Sequence, residues 1–232
     1  MNVIITGGSK GLGKAMAMKF AKEGHSLILC ARSADTLKAT QNEIQSLFPN
    51  IKVLVFCADL SLKEKVLEFG NFCLEKGSPD ILINNAGSYT QGNCADGSPD
   101  LMHSMMGVNF YSAFYLSQFL IPKMKELKKG HIFNICSIAA QKAYANGGCY
   151  SVSKFALYGF SQNLRLELKD HGIKVTSVLP GAVFTDSWSG FDNSNNRIMN
   201  PEDIANMVFA ASQLSPQAVV EEIVLRPMLG DL

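Results

Sequence analysis

The feature that most constrains this sequence is its beginning. The apolar run Asn2-Val-Ile-Ile-Thr6 is followed at once by Gly7-Gly8-Ser9-Lys10-Gly11-Leu12-Gly13, and Leu12, Met16, Phe20 and Ala21 then continue at helical spacing. Strand, glycine turn and helix in that order let a pyrophosphate approach backbone N–H groups at a helix N-terminus, where the helix dipole favours negative charge. A Cβ in the turn would obstruct that approach. The spacing, Thr-Gly-x-x-x-Gly-x-Gly, differs from the more familiar Gly-x-Gly-x-x-Gly fingerprint. The turn alone also fits a tight loop; its flanking strand and helix favour phosphate binding.

The alternation continues along the chain. Ser26–Cys30 is a continuous apolar run of the kind expected for a strand buried on both faces, followed by an amphipathic helix near 34–47 and a strand over 52–57. A helix near 62–76 leads to a strand over 80–84, a turn-rich loop over 88–98, and one helix from about 99 to 126. Pro122 and the lysines at 123, 125, 128 and 129 mark the solvated end of that helix. A strand over 131–136, a helix over about 148–170 and a strand over 173–179 follow. Pro201 then opens a last helix, and a seventh strand falls within 218–225. Strands alternating with helices imply a parallel sheet covered on both faces.

At 232 residues, 47% hydrophobic and 18% charged, the chain suits one compact domain, with no linker or repeat. A net charge of +1 gives no reason to expect nucleic acid or an anionic membrane as partner. The six cysteines (30, 57, 73, 94, 136 and 149) lack metal-ligand spacing and disulfide-scaffold density, and read as reduced, buried thiols. With no targeting segment and no apolar run long enough to span a bilayer, the expected location is cytoplasmic.

In such sheets ligands bind beyond the carboxyl ends of the strands, and the chemistry-bearing residues lie there. The second strand ends in Ala31-Arg32 with no acid to hold a ribose 2′-hydroxyl, and Lys10 sits in the glycine turn. Two cations at that corner favour a 2′-phosphate, hence NADP(H). Asp59 could accept a hydrogen bond from adenine, while capping of the next helix belongs more naturally to Ser61. Asn84 and Asn85 can tie one strand end to its neighbours, and Gly87 permits close backbone approach. Asn109, a polar amide within an apolar helix, needs partners. Tyr150 and Lys154 stand four apart and share a helix face, with Ser137 thirteen residues before the tyrosine. Moving a phenol pKa from about 10 to neutrality needs about 4 kcal/mol of preference for the phenolate. An exposed lysine supplies only about 0.2–1 kcal/mol, so the pair makes sense in a dried cleft.

Taken together, Thr6-Gly7-x-x-x-Gly11-x-Gly13, Asn84-Asn85-Ala86-Gly87, Asn109, Ser137, Tyr150-x-x-x-Lys154 and Pro180-Gly181-x-Val183-x-Thr185 resemble the short-chain dehydrogenase/reductase family over essentially the whole chain. The resemblance implies an α/β, doubly wound, seven-stranded parallel Rossmann sheet in one domain, and hydride transfer between NADP(H) and a carbonyl or alcohol. It further implies Tyr150 as proton donor or acceptor and Lys154 as the group that lowers its pKa and binds the nicotinamide ribose. Ser137 would polarise the carbonyl, and Asn109 would hold a water in the proton relay. The cofactor-binding set it implies is Gly7, Ser9, Lys10, Gly11, Leu12, Gly13, Arg32, Asp59, Leu60, Asn85, Ala86, Gly87, Tyr150, Lys154, Pro180, Gly181, Val183 and Thr185, the last on the nicotinamide carboxamide. The small-molecule substrate would meet Ile138–Asn146, Cys149, Val183 and a loop at about 186–200. Relatives of this kind pair through the helices near 99–126 and 148–170, both apolar on more than one face, so a homodimer or homotetramer is expected. The C-terminal segment Glu221-Glu-Ile-Val-Leu-Arg226-Pro227 departs from the glycine-rich ending of many carrier-protein ketoacyl reductases. A non-catalytic NADP(H) sensor and a sugar-nucleotide epimerase are the competing readings. An intact Tyr-Lys-Ser-Asn set argues against the first, and the glycine spacing and single domain against the second.

Overall fold

The computed structural model describes residues 1–143, 146–188 and 190–231 and shows a seven-stranded sheet ordered β3-β2-β1-β4-β5-β6-β7, every neighbouring pair parallel. The strands are β1 (Asn2–Thr6), β2 (Ser26–Ala31), β3 (Val53–Cys57), β4 (Ile81–Asn84), β5 (Gly130–Ile135), β6 (Ile173–Pro180) and β7 (Glu222–Leu225). The helices between them are α1 (Gly11–Lys22), α2 (Ala34–Leu47), α3 (Lys63–Lys76), α4 (Pro99–Met106), α5 (Ser112–Leu127), α6 (Gly148–Leu168) and α7 (Pro201–Ser212). This is the doubly wound Rossmann arrangement.

Alternate residues of one strand feed two cores, which is why the strands read as unbroken apolar runs. Val3 and Ile5 of β1 pack with Met16, Phe20, Leu37 and Val208 from α1, α2 and α7. Ile4, between them, packs on the opposite face with Val66, Phe69, Leu116, Leu120 and Leu164 from α3, α5 and α6. The chain leaves β1 toward β2 and β3 on one side and returns through α3 to β4 on the other. A crevice therefore opens between the ends of β1 and β4, where the strand order reverses.

Three local expectations are corrected. The helix foreseen over 99–126 is interrupted by a π-helical turn at Gly107–Tyr111, which separates α4 from α5 and turns Asn109 inward. The solvated end falls where the lysines put it: α5 runs through Pro122, because Leu116, Leu120 and Met124 keep one buried stripe past it, and is capped by Lys128 in a left-handed conformation with φ of 49°. Ser61 does not cap α3, whose first turn follows Leu62 without a side-chain cap; its hydroxyl donates to Asp59 Oδ1 at 2.8 Å. Cys30, Cys73, Cys136 and Cys149 are buried as expected, but Cys57 and Cys94 are exposed, and all six thiols are free. Among the described residues no helix is long and apolar enough to cross a membrane, and no cluster of His, Cys, Asp or Glu is arranged to hold a metal.

At the end of the sheet remote from the crevice, His131 of β5 stacks on Phe133 at 3.9 Å and its Nε2 lies 2.8 Å from Thr176 Oγ1. Thr176 already donates to the Val220 carbonyl, so the ring nitrogen must donate to it. Burial, with a smaller contribution from the Lys174 ammonium, pushes the imidazole pKa down to about 3. The unfolded chain therefore binds the extra proton first. The stability that neutral His131 contributes is present above about pH 6.5 and drains away as pH falls toward 3. In urea titrations between pH 7 and 4, His131→Gln should flatten the loss of unfolding free energy relative to the parent protein. Parallel pH dependences would contradict this.

Candidate active site

The glycine turn closes the crevice at the β1 end. Gly7 and Gly11 occupy the left-handed region, with φ of 65° and 49°. A Cβ on Gly11 would lie 3.3 Å from the Thr185 side chain across the cleft, so the turn faces Thr185 through bare backbone. Gly13 serves a different purpose from the one expected. A Cβ there would come within 2.1 Å of the Gly7 carbonyl and 2.6 Å of Asn85 Nδ2, so this glycine lets α1 pack against the turn and does not face the cleft. The Gly8 amide donates to the Cys30 carbonyl and Thr40 Oγ1 to the Ser9 carbonyl, so the turn is tied to both β2 and α2.

The ends of β1 and β4 are joined by side chains. Thr6 Oγ1 accepts from the backbone amides of Asn85 and Ala86, both at 2.9 Å, and Asn85 Nδ2 donates to the carbonyls of Thr6 and Gly7 at 3.0 and 3.2 Å. Asn84 Nδ2 donates to Asn134 Oδ1 on β5 at 2.8 Å, and Asn134 Nδ2 to Ser161 Oγ on α6 at 2.7 Å. The crest is thereby fixed from β1 across to α6.

Tyr150 lies in the first turn of α6 and Lys154 one turn later, its ammonium 5.7 Å from the centre of the phenol ring. Lys154 is 5% exposed and donates to the Ile135 carbonyl, at the end of β5, at 2.8 Å. Burial pushes its pKa down to about 8, partly countered by the nearby Cys136 thiol. That thiol is itself pushed up to about 12 by burial. Ser137 follows β5, and its Oγ accepts from the Ala139 amide at 3.1 Å. Asn109 spends its side chain on the protein. Its Oδ1 accepts from the Ser88 amide at 2.8 Å, while Nδ2 donates to the Ser88 carbonyl at 3.1 Å and to Ser153 Oγ at 2.9 Å. A Cβ on Gly87 would lie 2.9 Å from Asn109 Oδ1 and 3.5 Å from the Lys154 ammonium, so that glycine admits these two groups.

One cavity of about 790 Å³ brings the site together. Gly7, Ser9, Lys10, Gly11, Leu12, Arg32, Asp59, Leu60, Asn85, Ala86, Gly87, Ser137, Tyr150, Lys154, Pro180, Gly181, Val183 and Thr185 all line it; Gly13 and Asn109 stand behind its wall. Of the expected substrate surface, Ile138, Ala139 and the 3₁₀ turn Asp186–Trp188 also line it, whereas Tyr144, Ala145 and Ser189 lie outside the described residues. Lys10 carries an ion pair to Asp186 at 3.2 Å, with both side chains largely exposed. Asp59 Oδ1 accepts from the amide and hydroxyl of Ser61.

Four contributors were not singled out from the sequence. Tyr89, in the loop after β4, meets Tyr150 edge to face at 5.3 Å. Ser33 and Thr36 line the cavity beside Arg32, and the Thr36 amide donates to Ser33 Oγ in an N-cap that was readable from the Ser-x-x-Thr spacing. Asp231 reaches the cavity from the far end of the chain, held by Lys142 at 3.1 Å and Arg226 at 2.9 Å, and only the tertiary fold reveals it.

Residues 1–196 match the family model for short chain dehydrogenase. The chain belongs to the short-chain dehydrogenase/reductase family. A sepiapterin reductase from Chlorobaculum tepidum is 34% identical over 99% of this chain and 97% of its own length. A metagenomic short-chain oxidoreductase solved in complex with NADP superposes with a TM-score of 0.86 at 29% identity, covering 98% of this chain and 97% of that one. L-sorbose reductase from Gluconobacter frateurii, solved with NADPH and L-sorbose, gives 0.89 at 27% identity, covering 97% and 94%. The short-chain fold thus accounts for the whole described sheet.

The depressed pKa of Lys154 carries a sign that can be measured. In the unfolded chain the lysine keeps its proton to about pH 10.5, whereas in the folded protein it releases it near pH 8. Its contribution to stability is therefore gained as pH rises from about 8 to 10.5 and lost as pH falls back through 8. Melting temperatures of the ligand-free parent and Lys154→Met should shift in the parent's favour over that range. A constant difference would show that Lys154 titrates as though exposed.

Proposed function

We propose that this protein is an NADP(H)-dependent oxidoreductase that interconverts a carbonyl and an alcohol, with Tyr150 exchanging the proton. The observation that carries the reading is the buried Lys154 ammonium, held by the Ile135 carbonyl beneath Tyr150 at the crest where the cavity opens. The whole chain is read as one cofactor-binding domain with a substrate loop at about 186–200.

The residues present fit the cofactor. The cavity volume lies within the range of small-molecule and cofactor sites, about 300–1,000 Å³, and it runs unbroken from the glycine turn to Tyr150. Gly7, Ser9, Gly11 and Leu12 would hold the pyrophosphate on backbone amides, with Asp59 and Leu60 at the adenine and Arg32 with Lys10 at the 2′-phosphate. Asn85, Ala86, Gly87, Pro180, Gly181, Val183 and Thr185 would flank the nicotinamide end, and Lys154 with Tyr150 its ribose. NADP(H) when bound supplies or accepts the hydride.

The remaining chemistry falls to the chain itself. A buried ammonium with a depressed pKa gains from any negative charge that forms beside it, so Lys154 favours the phenolate of Tyr150 over the phenol. Tyr150 can then take a proton from an alcohol or, as phenol, give one to a developing alkoxide. Ser137 accepts from Ala139, which leaves its own O–H to polarise a substrate carbonyl. Asn109 cannot offer its amide to a water without giving up Ser88 or Ser153; its role is to hold Ser88 and α6 in register, and a relay water would meet its main chain in the π-helical turn. Tyr89 and Trp188 form the aromatic approach to Tyr150. Self-association through the exposed faces of the 99–127 helical stretch, with Tyr111 and Leu127, and of α6, with Val152, Phe155 and Leu166, and a cytoplasmic location complete the proposal.

NADPH consumption against a panel of carbonyl compounds tests the reading as a whole. Absence of turnover with every ketone and aldehyde, in a protein that binds NADPH, would favour the sensor instead. For cofactor choice, charge-assisted bonds to the 2′-phosphate of about 1.5–3 kcal/mol each predict roughly ten- to hundred-fold tighter binding of NADPH than NADH. Because Lys10 must leave Asp186 to take part, Arg32→Ala should erode the preference more than Lys10→Ala. Equal dissociation constants for the two cofactors would overturn the assignment.

A further inference from the structure

Cys94 and Cys149 lie outside the chemistry derived above, yet the fold brings them together one residue from Tyr150. Cys94 is exposed in the loop between β4 and α4, and Cys149 is buried in the first turn of α6. Each side chain faces the residue beside the other, Cys94 Sγ packing against Gly148 and Cys149 Sγ turning toward Asn93. A Cβ on the adjacent Gly148 would lie 2.8 Å from Cys94 Sγ and 3.0 Å from the Cys94 amide, so a glycine is what lets the loop close down on the helix. Three hydrogen bonds hold the same contact: the Cys149 amide to the Gly92 carbonyl at 3.4 Å, the Gly92 amide to the Asn146 carbonyl at 2.9 Å, and Cys149 Sγ to the Asn93 carbonyl at 3.6 Å. The loop that carries Cys94 also carries Tyr89, whose ring meets Tyr150.

We propose that Cys94 and Cys149 are a dithiol modification site for a two-electron oxidant of the peroxide class, and that their disulfide pins the Tyr89 loop to the helix that bears Tyr150. Hydrogen peroxide oxidises the exposed Cys94 thiol to a sulfenic acid and leaves as one water. The Cys149 sulfur then attacks the Cys94 sulfur, the S–O bond breaks, and a second water departs with the Cys149 proton. Two thiols lose two electrons and two protons, and peroxide takes up both. The exposure difference sets the order of events, since Cys94 is open to the oxidant and Cys149 has Cys94 as its neighbour. Closing two neighbouring thiols to an S–S bond of about 2.05 Å draws the loop onto α6. Displacements of about 1 Å at a reacting group can cost roughly a hundred-fold in rate, so oxidation should slow the carbonyl chemistry.

The effect on turnover rests on the reductase reading; formation of the bond does not. Trypsin releases Cys94 within residues 77–123 and Cys149 within 143–154, one cysteine in each. After treatment with hydrogen peroxide and blocking of free thiols, the two fragments should appear joined, two hydrogens lighter than their sum, and separate with dithiothreitol. Amide exchange over residues 88–98 should slow in the joined protein, and carbonyl reduction should fall at least tenfold and recover on reduction. Cys94→Ser, a surface change outside the cavity, should keep basal turnover and lose the response. Fragments that stay separate, or a joined protein with unchanged loop exchange and unchanged turnover, would overturn the proposal, as would equal inactivation of Cys94→Ser. A parent protein that reduces no carbonyl before oxidation would count against the reductase reading alone, because joining and loop exchange are read without turnover.

Discussion

A lysine ammonium kept out of water at the end of a β-strand is the constraint on which the site depends. Lys154 sits beneath Tyr150 with the Ile135 carbonyl as its hydrogen-bond acceptor, and burial lowers its pKa to about 8. An unpaired buried charge is costly, and here the surroundings are built around that cost. Gly87 makes room for the ammonium, Asn109 fixes the turn that passes it, and Ser153 links Asn109 to α6. The buried charge becomes useful once a negative group forms nearby, which is what a tyrosine acting as acid and base requires.

The same economy runs along the crest. Thr6, Asn85, Asn84, Asn134 and Ser161 form two side-chain ties that carry β1 to β4 and β4 through β5 to α6, so the glycine turn and the helix that bears Tyr150 are held at a fixed separation. The polar groups buried there hold strand ends whose ladder bonds have run out. A rigid crest with loops after β4 and β6 above it is the arrangement in which a scaffold positions residues carried on more variable loops.

The fold was legible because its signals are local. Apolar runs of strand length, glycines at the first turn and helical spacing at Leu12, Met16 and Phe20 do not need the tertiary structure to be read. The cleft residues were legible for the related reason that motifs cluster at strand ends. What escaped was set by packing. Gly13 belongs to the binding motif by sequence, yet its Cβ position is filled by the Gly7 carbonyl, so helix docking governs it. The π-helical turn at Gly107–Tyr111 is a single turn of i→i+5 bonding inside a long helical stretch, and no residue type marks it in the sequence; the inward partners of Asn109 reveal it. Tyr89 and Asp231 lie in segments without periodicity and reach the site through long-range contacts. Lys10 was read as a cation near the cofactor corner, but its partner Asp186 is far away in sequence.

The central claim is that the Tyr150 hydroxyl moves the proton while the rest of the site holds the cofactor. The most direct test is turnover and NADPH affinity measured on one preparation of Tyr150→Phe, with a carbonyl substrate that the parent protein reduces. The substitution keeps the ring against Tyr89 and the Lys154 ammonium near it. The account predicts that NADPH affinity is largely retained while turnover falls by about a hundred- to ten-thousand-fold, the usual share of general acid–base catalysis. Near-parental turnover by Tyr150→Phe would show that the proton comes from elsewhere and would contradict it.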